Sequence, residues 1–489
     1  MGKMTTMIRI AALAVLVTGY FTATTHAQTA RPTKPNIIFI LADDLGWTDV
    51  GCNGSTYYET PNIDRLAKEG MRFTSGYTAA PNCAPTRAAL MSGQYGARTG
   101  VFTVGSIDRF DWQSRPLAPP KNVQNLPASL KILPQPLKDA GYATAMFGKW
   151  HLGQKDDFHP AKRGFDEAIV SNGKHFNFVT DPPVEYPKGQ YLADFLTDRS
   201  VDFITKNKDK PFFLYLPHFG VHAPKEAKPE LIERFKAKPP VGGHHDPVYA
   251  AMIYSVDESV GRIMATLEEL KLAENTLVIF SSDNGGVGGY VREKIKEGKD
   301  TTDNAPLRGG KGMLYEGGVR VPYLFRFPGK IQPGSTSDAP IISVDLLPTF
   351  VELAGAKAPD QPLDGVSLVS HLHGKPLGRD AIFWHFPGYL GAGGEDKWRT
   401  KPVGAIRSGD HKLLEWYEDG KLELYNLKTD LGQKDNLAEK QPELARQLHA
   451  KLVAWRESTN ATMPTKNDPQ APQPARKRQR QRATDGEDE

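Results

Sequence analysis

The run Asn36-Ile37-Ile38-Phe39-Ile40-Leu41, ending in Ala42-Asp43-Asp44, decides how the rest of the chain is read. It is apolar without alternation and rich in β-branched isoleucine, which suits a strand buried on both faces of a parallel-type sheet. Two acidic residues stand at its C-terminal end, where open α/β sheets place their functional groups. The same punctuation recurs along the sequence. Ala143 to Phe147 is read as a strand leading into Gly148-Lys149-Trp150-His151. Pro211-Phe212-Phe213-Leu214-Tyr215-Leu216 leads into a histidine-rich loop, and Leu277 to Phe280 into Ser282-Asp283-Asn284-Gly285-Gly286. Helices are expected between them: Asn62 to Gly70, residues 126 to 141, Tyr191 to Lys206, and Tyr249 to Leu270. In the last of these Val256, Val260, Ile263 and Leu267 form one stripe. The alternation predicts an α/β fold, a large mixed β-sheet with helices on both faces, over residues 36–375. No internal repeat is visible. Beyond Gly374 the texture changes, and residues 376–460 read as a smaller antiparallel-sheet subdomain. Its expected parts are a hairpin of Ala405 to Tyr417 and Leu422 to Tyr425, joined at Asp419-Gly420, and a helix from Pro442 to Glu457.

The ends of the chain are not fold. Lys3 and Arg9 precede the apolar run Ile10 to Val17, and Thr25-His26-Ala27 is a small-residue end. Residues 1–27 read as a secretory signal peptide cut after Ala27, so the mature chain is secreted or periplasmic. The alternative, an uncleaved anchor, has to use a run that is short for a span. Residues 28–35 are a polar linker. Residues 461–489 are Pro/Gln-rich, then basic from Arg476 to Arg482, then acidic from Asp485 to Glu489, and read as a disordered tail. Across 489 residues, 39% hydrophobic and 24% charged composition excludes a disordered chain, a collagen-like fibre and a polytopic membrane protein. Sixty-one basic against 57 acidic residues gives +4, too little to indicate nucleic-acid binding. Two cysteines, Cys52 and Cys83, exclude a disulfide scaffold.

Asp43-Asp44 and Asp283-Asn284 are hard-oxygen pairs at two strand ends. Either alone is read equally well as a turn or helix cap. Together they offer four oxygen ligands, which suits Ca²⁺ or Mg²⁺. The segment Cys83-Ala84-Pro85-Thr86-Arg87 puts a cysteine near an arginine. By itself that is either an activated thiolate or an inert buried thiol.

At this segment the sequence resembles the type I sulfatase family of the alkaline phosphatase superfamily. The match is Cys-x-Pro-x-Arg followed by Leu90, Gly93 and Arg98, with Thr86 where Ser or Ala is usual. Ala42-Asp43-Asp44-Leu45-Gly46, Gly148-Lys149-Trp150-His151-Leu152-Gly153, His222-Ala223-Pro224, Ser282-Asp283-Asn284-Gly285-Gly286, Gly310-Lys311-Gly312 and Glu316-Gly317-Gly318-Val319-Arg320-Val321-Pro322 complete it. The resemblance covers residues 35 to 455 and implies an alkaline phosphatase-like sandwich. It also implies that a maturation enzyme converts Cys83 to formylglycine, an aldehyde that is hydrated to a geminal diol. One hydroxyl, polarised by Ca²⁺, attacks sulfur, and the other loses its proton as the diol collapses and expels sulfate. By the same resemblance Asp43, Asp44, Asp283, Asn284 and residue 83 hold one Ca²⁺. Arg87 holds the formylglycine hydroxyl, and Lys149 and Lys311 bind sulfate oxygens. His151 takes the second diol proton, and His222 donates to the leaving-group oxygen.

Other residues stay unassigned. Many sulfatases have a polar sulfate contact after Gly164-Phe165-Asp166, and Ser171, Asn172, Lys174 and His175 are all candidates. His218 is a candidate pocket residue, His244-His245 read as a loop, and Cys52 as structural. Trp384-His385-Phe386 and Arg407 are either substrate-facing or strand packing. The insert Val104 to Pro120, with Asp108, Arg109, Asp111, Trp112 and Arg115, is either a sugar-binding loop or plain surface. The expected function is hydrolysis of sulfate esters of a sulfated carbohydrate, without nucleic acid and without stable membrane insertion. The competing readings are a phosphonate monoester or phosphodiester hydrolase of the same superfamily, and a non-catalytic polyanion-binding protein. The full motif set favours the first. The sequence leaves the oligomeric state open.

Overall fold

The computed structural model describes residues 34–171, 173–394 and 397–467. The expected signal peptide (residues 1–27), Asn172 and residues 468–489 lie outside the described residues. The main sheet has eight strands: β1 (Asn36–Ala42), β2 (Met71–Phe73), β3 (Ala143–Gly148), β4 (Glu167–Val170), β5 (Phe212–Pro217), β6 (Thr276–Ser282), β7 (Tyr323–Arg326) and β8 (Ser335–Ser337). Their order is β8-β2-β7-β6-β1-β5-β3-β4. β1 lies inside the sheet, parallel to both neighbours, with Ile37 opposite Phe213 and Leu277. β7 runs antiparallel to β6 and β2, which makes the sheet mixed.

The unbroken apolar run of β1 follows from this position. Ile38, Ile40 and Ala42 join Leu214, Leu216, Val278 and Phe280 in one core, under helices Leu192–Lys206 and Pro247–Glu269. Ile37, Phe39 and Leu41 join Phe213, Tyr215, Leu277 and Ile279 in the other, under helices Cys83–Ser92 and Leu346–Ala354. Burying each large apolar side chain stabilises the fold by roughly 1.5–3 kcal/mol, so a polar residue on either face would be costly. The helix Pro247–Glu269 starts where its sequence says it should. Asp246 accepts from Val248 N and Tyr249 N, and Pro247 occupies the first turn, where its missing N–H costs nothing.

A second sheet, antiparallel, comprises β9 (Ala381–Phe386), β10 (Val403–Ser408), β11 (His411–Trp416) and β12 (Leu422–Asn426). Helix Pro442–Ser458 covers one face, with Ala445, Leu448 and Leu452 on Ile406, Leu413 and Leu424. The other face puts Trp384, Ala405 and Leu414 against Tyr77, Ala89 and Val319. Among the described residues no helix is long and apolar enough to cross a membrane.

Three expectations need correction. Of residues 126 to 141 only Pro134–Asp139 is helical, because Pro134 and Pro136 are tolerated only in the first turn of a helix. Ala405 to Tyr417 is not one strand: Gly409-Asp410 turn β10 into β11, and Asp419-Gly420 lie in the next turn, between β11 and β12. The tail does not begin at 461. Thr465–Lys466 pair antiparallel with Leu117–Ala118, and Asn467 Nδ2 donates to the carbonyls of Gln113 and Arg115.

Candidate active site

The C-terminal ends of β1, β3, β5 and β6 deliver Asp43-Asp44, Lys149, His222, and Asp283-Asn284 to one place. Helix Cys83–Ser92 enters it N-terminus first, and all ten of its residues are buried. Two glycines permit the close packing. A Cβ on Gly148 would lie 1.9 Å from the Pro217 carbonyl oxygen, and one on Gly285 1.8 Å from that of Gly317. Thr86, the departure from the usual motif, donates its hydroxyl to the Ala80 carbonyl at 2.9 Å and thereby ties the helix start to the preceding loop.

Cys83 Sγ lies 3.5 Å from Asp43 Oδ1, 3.9 Å from Asp44 Oδ1 and 3.8 Å from Lys149 Nζ. Arg87 grips Asp283 Oδ2 with Nε at 2.9 Å and Nη2 at 2.7 Å, and donates Nη1 to the Lys149 carbonyl. Lys149 Nζ is 2.8 Å from Asp43 Oδ2, and Lys311 Nζ is 2.8 Å from Asp44 Oδ2. Asp283 Oδ1 accepts from Asp44 N at 3.2 Å. Asn284 donates Nδ2 to Asp44 Oδ1 and to the Gly285 carbonyl, which leaves its buried Oδ1 without a hydrogen-bond partner. His222 donates Nδ1 to the Ala223 carbonyl at 2.7 Å. Its Nε2 lies 3.7 Å from Asp44 Oδ2 and makes no hydrogen bond. His151 stands two residues beyond Lys149, half-buried, with left-handed backbone (φ 61°).

Three carboxylates and three permanent cations thus neutralise one another in a water-poor centre. For Asp44, burial works to raise the pKa, but Lys311, His222 and Lys149 outweigh it and hold the carboxyl well below its usual range. Asp283 is pushed up by burial and then by Asp43. Burial, then Asp283, push the Cys83 thiol well above its ordinary value, against Lys149 and Lys311. A thiolate is therefore disfavoured here, although a helix N-terminus would ordinarily help one. Burial and the two lysines push His222 down to about 3. Ligand atoms of Asp43, Asp44, Cys83 and His222 lie within 4.8 Å of one another, a group that can hold a metal ion. His222 was expected as a proton donor rather than in that group.

The remaining candidates are mostly spent on packing. His218 Nε2 bonds Ser259 Oγ at 3.0 Å, under helix Pro247–Glu269. His244 stacks on Tyr58 and reaches the Asp303 carbonyl, beside Asp49. Trp384 Nε1 donates to the Thr78 carbonyl, His385 is held by Tyr417 and Thr462, and Arg407 donates to Tyr77 Oη. In the insert, Arg115 pairs with Glu418 at 2.9 Å, Trp112 bonds Asp108, and Arg109 lies over Phe110. Ser171 donates to the Val179 carbonyl, and Lys174 is exposed. His175 is buried beside residue 222. Sequence reasoning missed Phe219, whose ring lies 5.5 Å beneath Lys149 Nζ, and Tyr290, whose hydroxyl holds the Lys311 carbonyl at 2.8 Å. Neither carries a local signal, since each reads as an ordinary loop aromatic.

A sulfatase family model matches residues 35–356, and a model of the C-terminal part of N-sulphoglucosamine sulphohydrolase matches residues 310–458. A sulfatase of Formosa agariphila is 36% identical, over 88% of this chain and 90% of its own. Human N-acetylgalactosamine-6-sulfatase is 34% identical over 72% of this chain and 69% of its own. Among solved structures, Ps i-CgsB in complex with k-i-k-neocarrahexaose superposes with a TM-score of 0.73 at 32% identity, over 86% of this chain and 93% of that one. The matched length runs through every residue of the buried cluster, so the chain belongs to the type I sulfatase family of the alkaline phosphatase superfamily and is a sulfuric ester hydrolase.

Proposed function

We propose that the enzyme desulfates a sulfated carbohydrate, using formylglycine formed from Cys83 as nucleophile and one bound Ca²⁺. The observation that carries this is the centre around Cys83. Its own charges balance, yet Asn284 Oδ1 and His222 Nε2 are buried and unused. A dication together with the sulfate dianion that is released leaves that balance intact. The donors are mainly hard oxygens, which suits Ca²⁺ rather than a soft metal. Asp43, Asp44, Asp283, Asn284 and residue 83 would hold the ion, which supplies charge compensation at the nucleophile. Formylglycine, as its hydrate, supplies one hydroxyl to attack and a second that lets sulfate leave.

Arg87 orients residue 83. Lys149 and Lys311 take the sulfate oxygens and stabilise charge as it develops. His151 accepts a proton from residue 83, and His222 protonates the leaving oxygen. With Nδ1 committed to Ala223, His222 must carry that proton on Nε2. The two lysines that disfavour an imidazolium are the ones an entering sulfate anion offsets. The names of the relatives, among them N-acetylgalactosamine-6-sulfatase, support a carbohydrate substrate. Export follows from residues 1–27, with a mature N-terminus at Gln28.

The test is turnover of 4-nitrophenyl sulfate against the matching aryl phosphonate, before and after chelation. Preference for the sulfate, loss on chelation and recovery with Ca²⁺ are expected. Preference for the phosphonate, or full activity after exhaustive chelation, would reject the reading.

A further inference from the structure

His175 is 1% exposed and makes no contact that the proposed chemistry requires, yet it is bonded to the main chain of a residue that chemistry uses. Its Nε2 lies 2.8 Å from the carbonyl oxygen of His222. A carbonyl only accepts, so Nε2 carries the proton and donates. The ring is wedged between Tyr191 (centroids 5.6 Å apart, 14° between planes) and Phe219 (4.8 Å, 34°). Phe219 in turn packs on the His222 ring at 5.2 Å. The main chain of residue 175 is pinned as well. Its N–H donates to Glu226 Oε2 at 3.1 Å, and its carbonyl accepts from Leu192 N at 2.8 Å, at the start of a 15-residue helix. The Tyr191 hydroxyl closes the block on the Glu226 carbonyl.

His222 has local anchors of its own. Its N–H donates to the Phe219 carbonyl and its Nδ1 to the Ala223 carbonyl, both within the same loop. The loop before it is tied to the end of β1, where Val221 N donates to the Asp43 carbonyl at 2.7 Å and Asp43 N to the Gly220 carbonyl at 2.9 Å, but none of these bonds ties residue 222 to the helix layer. The His175 bond does, 47 residues away in sequence.

We infer that His175 is a positioning residue for His222: it fixes the main chain at 222 so that the Nε2 edge of that ring is held over the reacting centre. This rests on the reading of His222 as proton donor to the leaving group. A poorly placed acid matters most where the leaving group most needs its proton, and a misplacement of about 1 Å can cost on the order of 100-fold.

The experiment compares kcat/KM on 4-nitrophenyl sulfate, a good leaving group, with phenyl sulfate, a poor one. It uses the full-length enzyme and its His175→Phe, His175→Gln and His222→Ala variants, with thermal unfolding of each. His175→Phe keeps the stacking and loses the donor, so it should fall roughly tenfold further on phenyl sulfate than on the nitrophenyl ester. His175→Gln can still donate and should stay within about threefold of wild type on both. His222→Ala should show the steepest difference. His175→Leu replaces His175→Phe if the latter does not fold. Equal falls of His175→Phe on both esters beside a steep His222→Ala would overturn this inference alone, as would His175→Gln behaving like His175→Phe. Equal falls of His222→Ala would overturn the proton-donor reading and this inference with it.

Discussion

Lys311 and Glu316 are five residues apart, both buried and both ion-paired, and they belong to two clusters built differently. Glu316 has each oxygen matched: Oε1 by Lys412 Nζ at 2.8 Å and Oε2 by Tyr77 Oη at 2.8 Å. The cations around it are also spent. Lys412 lies over the Trp384 ring, Arg320 donates to the Thr74 carbonyl and Ser75 hydroxyl, and Arg407 lies over Tyr77. This cluster clamps the loop after Lys311 to β10 and β11; Arg320 Nη1 makes no hydrogen bond but is ion-paired within the cluster, 3.4 Å from Glu316 Oε2. Around Cys83 the charges are equally buried, but Asn284 Oδ1 and His222 Nε2 remain without hydrogen-bond partners in the same cluster. Buried polar atoms without partners are costly, so a fold keeps them where something else completes them. One cluster should therefore fail by unfolding when cut, and the other by losing turnover.

The sharpest break in that contrast is Cys83→Ala. It should lower turnover of an aryl sulfate by at least roughly 10³-fold while leaving the thermal midpoint nearly unchanged, because the thiol closes no ion pair. Cys83→Ser should behave alike over multiple turnovers, having one hydroxyl and no second to release sulfate. Glu316→Ala should do the reverse. It strands buried Lys412 and should cost about 3–5 kcal/mol of stability in denaturant titration. Glu316→Gln combined with Lys412→Met should recover part of that loss. A Glu316→Ala protein as stable as wild type would show that the clamp is not structural.

The two clusters were unequally legible in the sequence. Buried parallel strands leave unbroken apolar runs, so β1, β3, β5 and β6 could be read, and with them the polar residues at their ends. Asp43-Asp44 and Asp283-Asn284 stand out because two hard-oxygen pairs fall at two strand ends, whereas either alone would read as a turn or cap. The helix over 126 to 141 misled because its apolar spacing says nothing of what Pro134 and Pro136 forbid upstream of residue 134. The clamp left no trace: Glu316 and Lys412 are 96 residues apart, and a lysine in β11 reads as solvent-facing until the Tyr77 and Trp384 rings are seen beside it. The family motif marks Glu316 without giving its partner. Arg407 and His385 were ambiguous for a related reason, since a strand residue facing a second sheet looks like one facing a ligand.

Lys149→Ala should move both readouts, which sharpens the distinction. It removes a proposed sulfate contact, worth about 10²–10³ in kcat, and also strands Asp43. A variant that lost stability but kept kcat would place Lys149 with the clamp. A smaller effect separates the clusters by pH. Burial acts to raise the Glu316 pKa, but Lys412, Arg320 and Arg407 bring it down to about 2, against 4.5 for an unperturbed glutamate. A depressed carboxyl contributes its stability fully above the unfolded value and loses it as pH falls toward the folded one. Between pH 6 and pH 3 the wild-type advantage over Glu316→Gln should shrink by about 2 kcal/mol in urea titrations. An advantage that stays constant would mean that Glu316 titrates as it does in the unfolded chain, and one that grows would mean that it is neutral in the native state.

The central claim is that residue 83 acts as something other than a thiol. It is tested most directly by the mass of the peptide spanning Cys83, taken from enzyme that is turning over an aryl sulfate. Conversion to the aldehyde makes that peptide about 18 Da lighter than the cysteine form, with the difference restored on hydration. The account predicts that the lighter species tracks the active fraction across preparations. Full activity in a preparation that carries only unmodified Cys83 would contradict it.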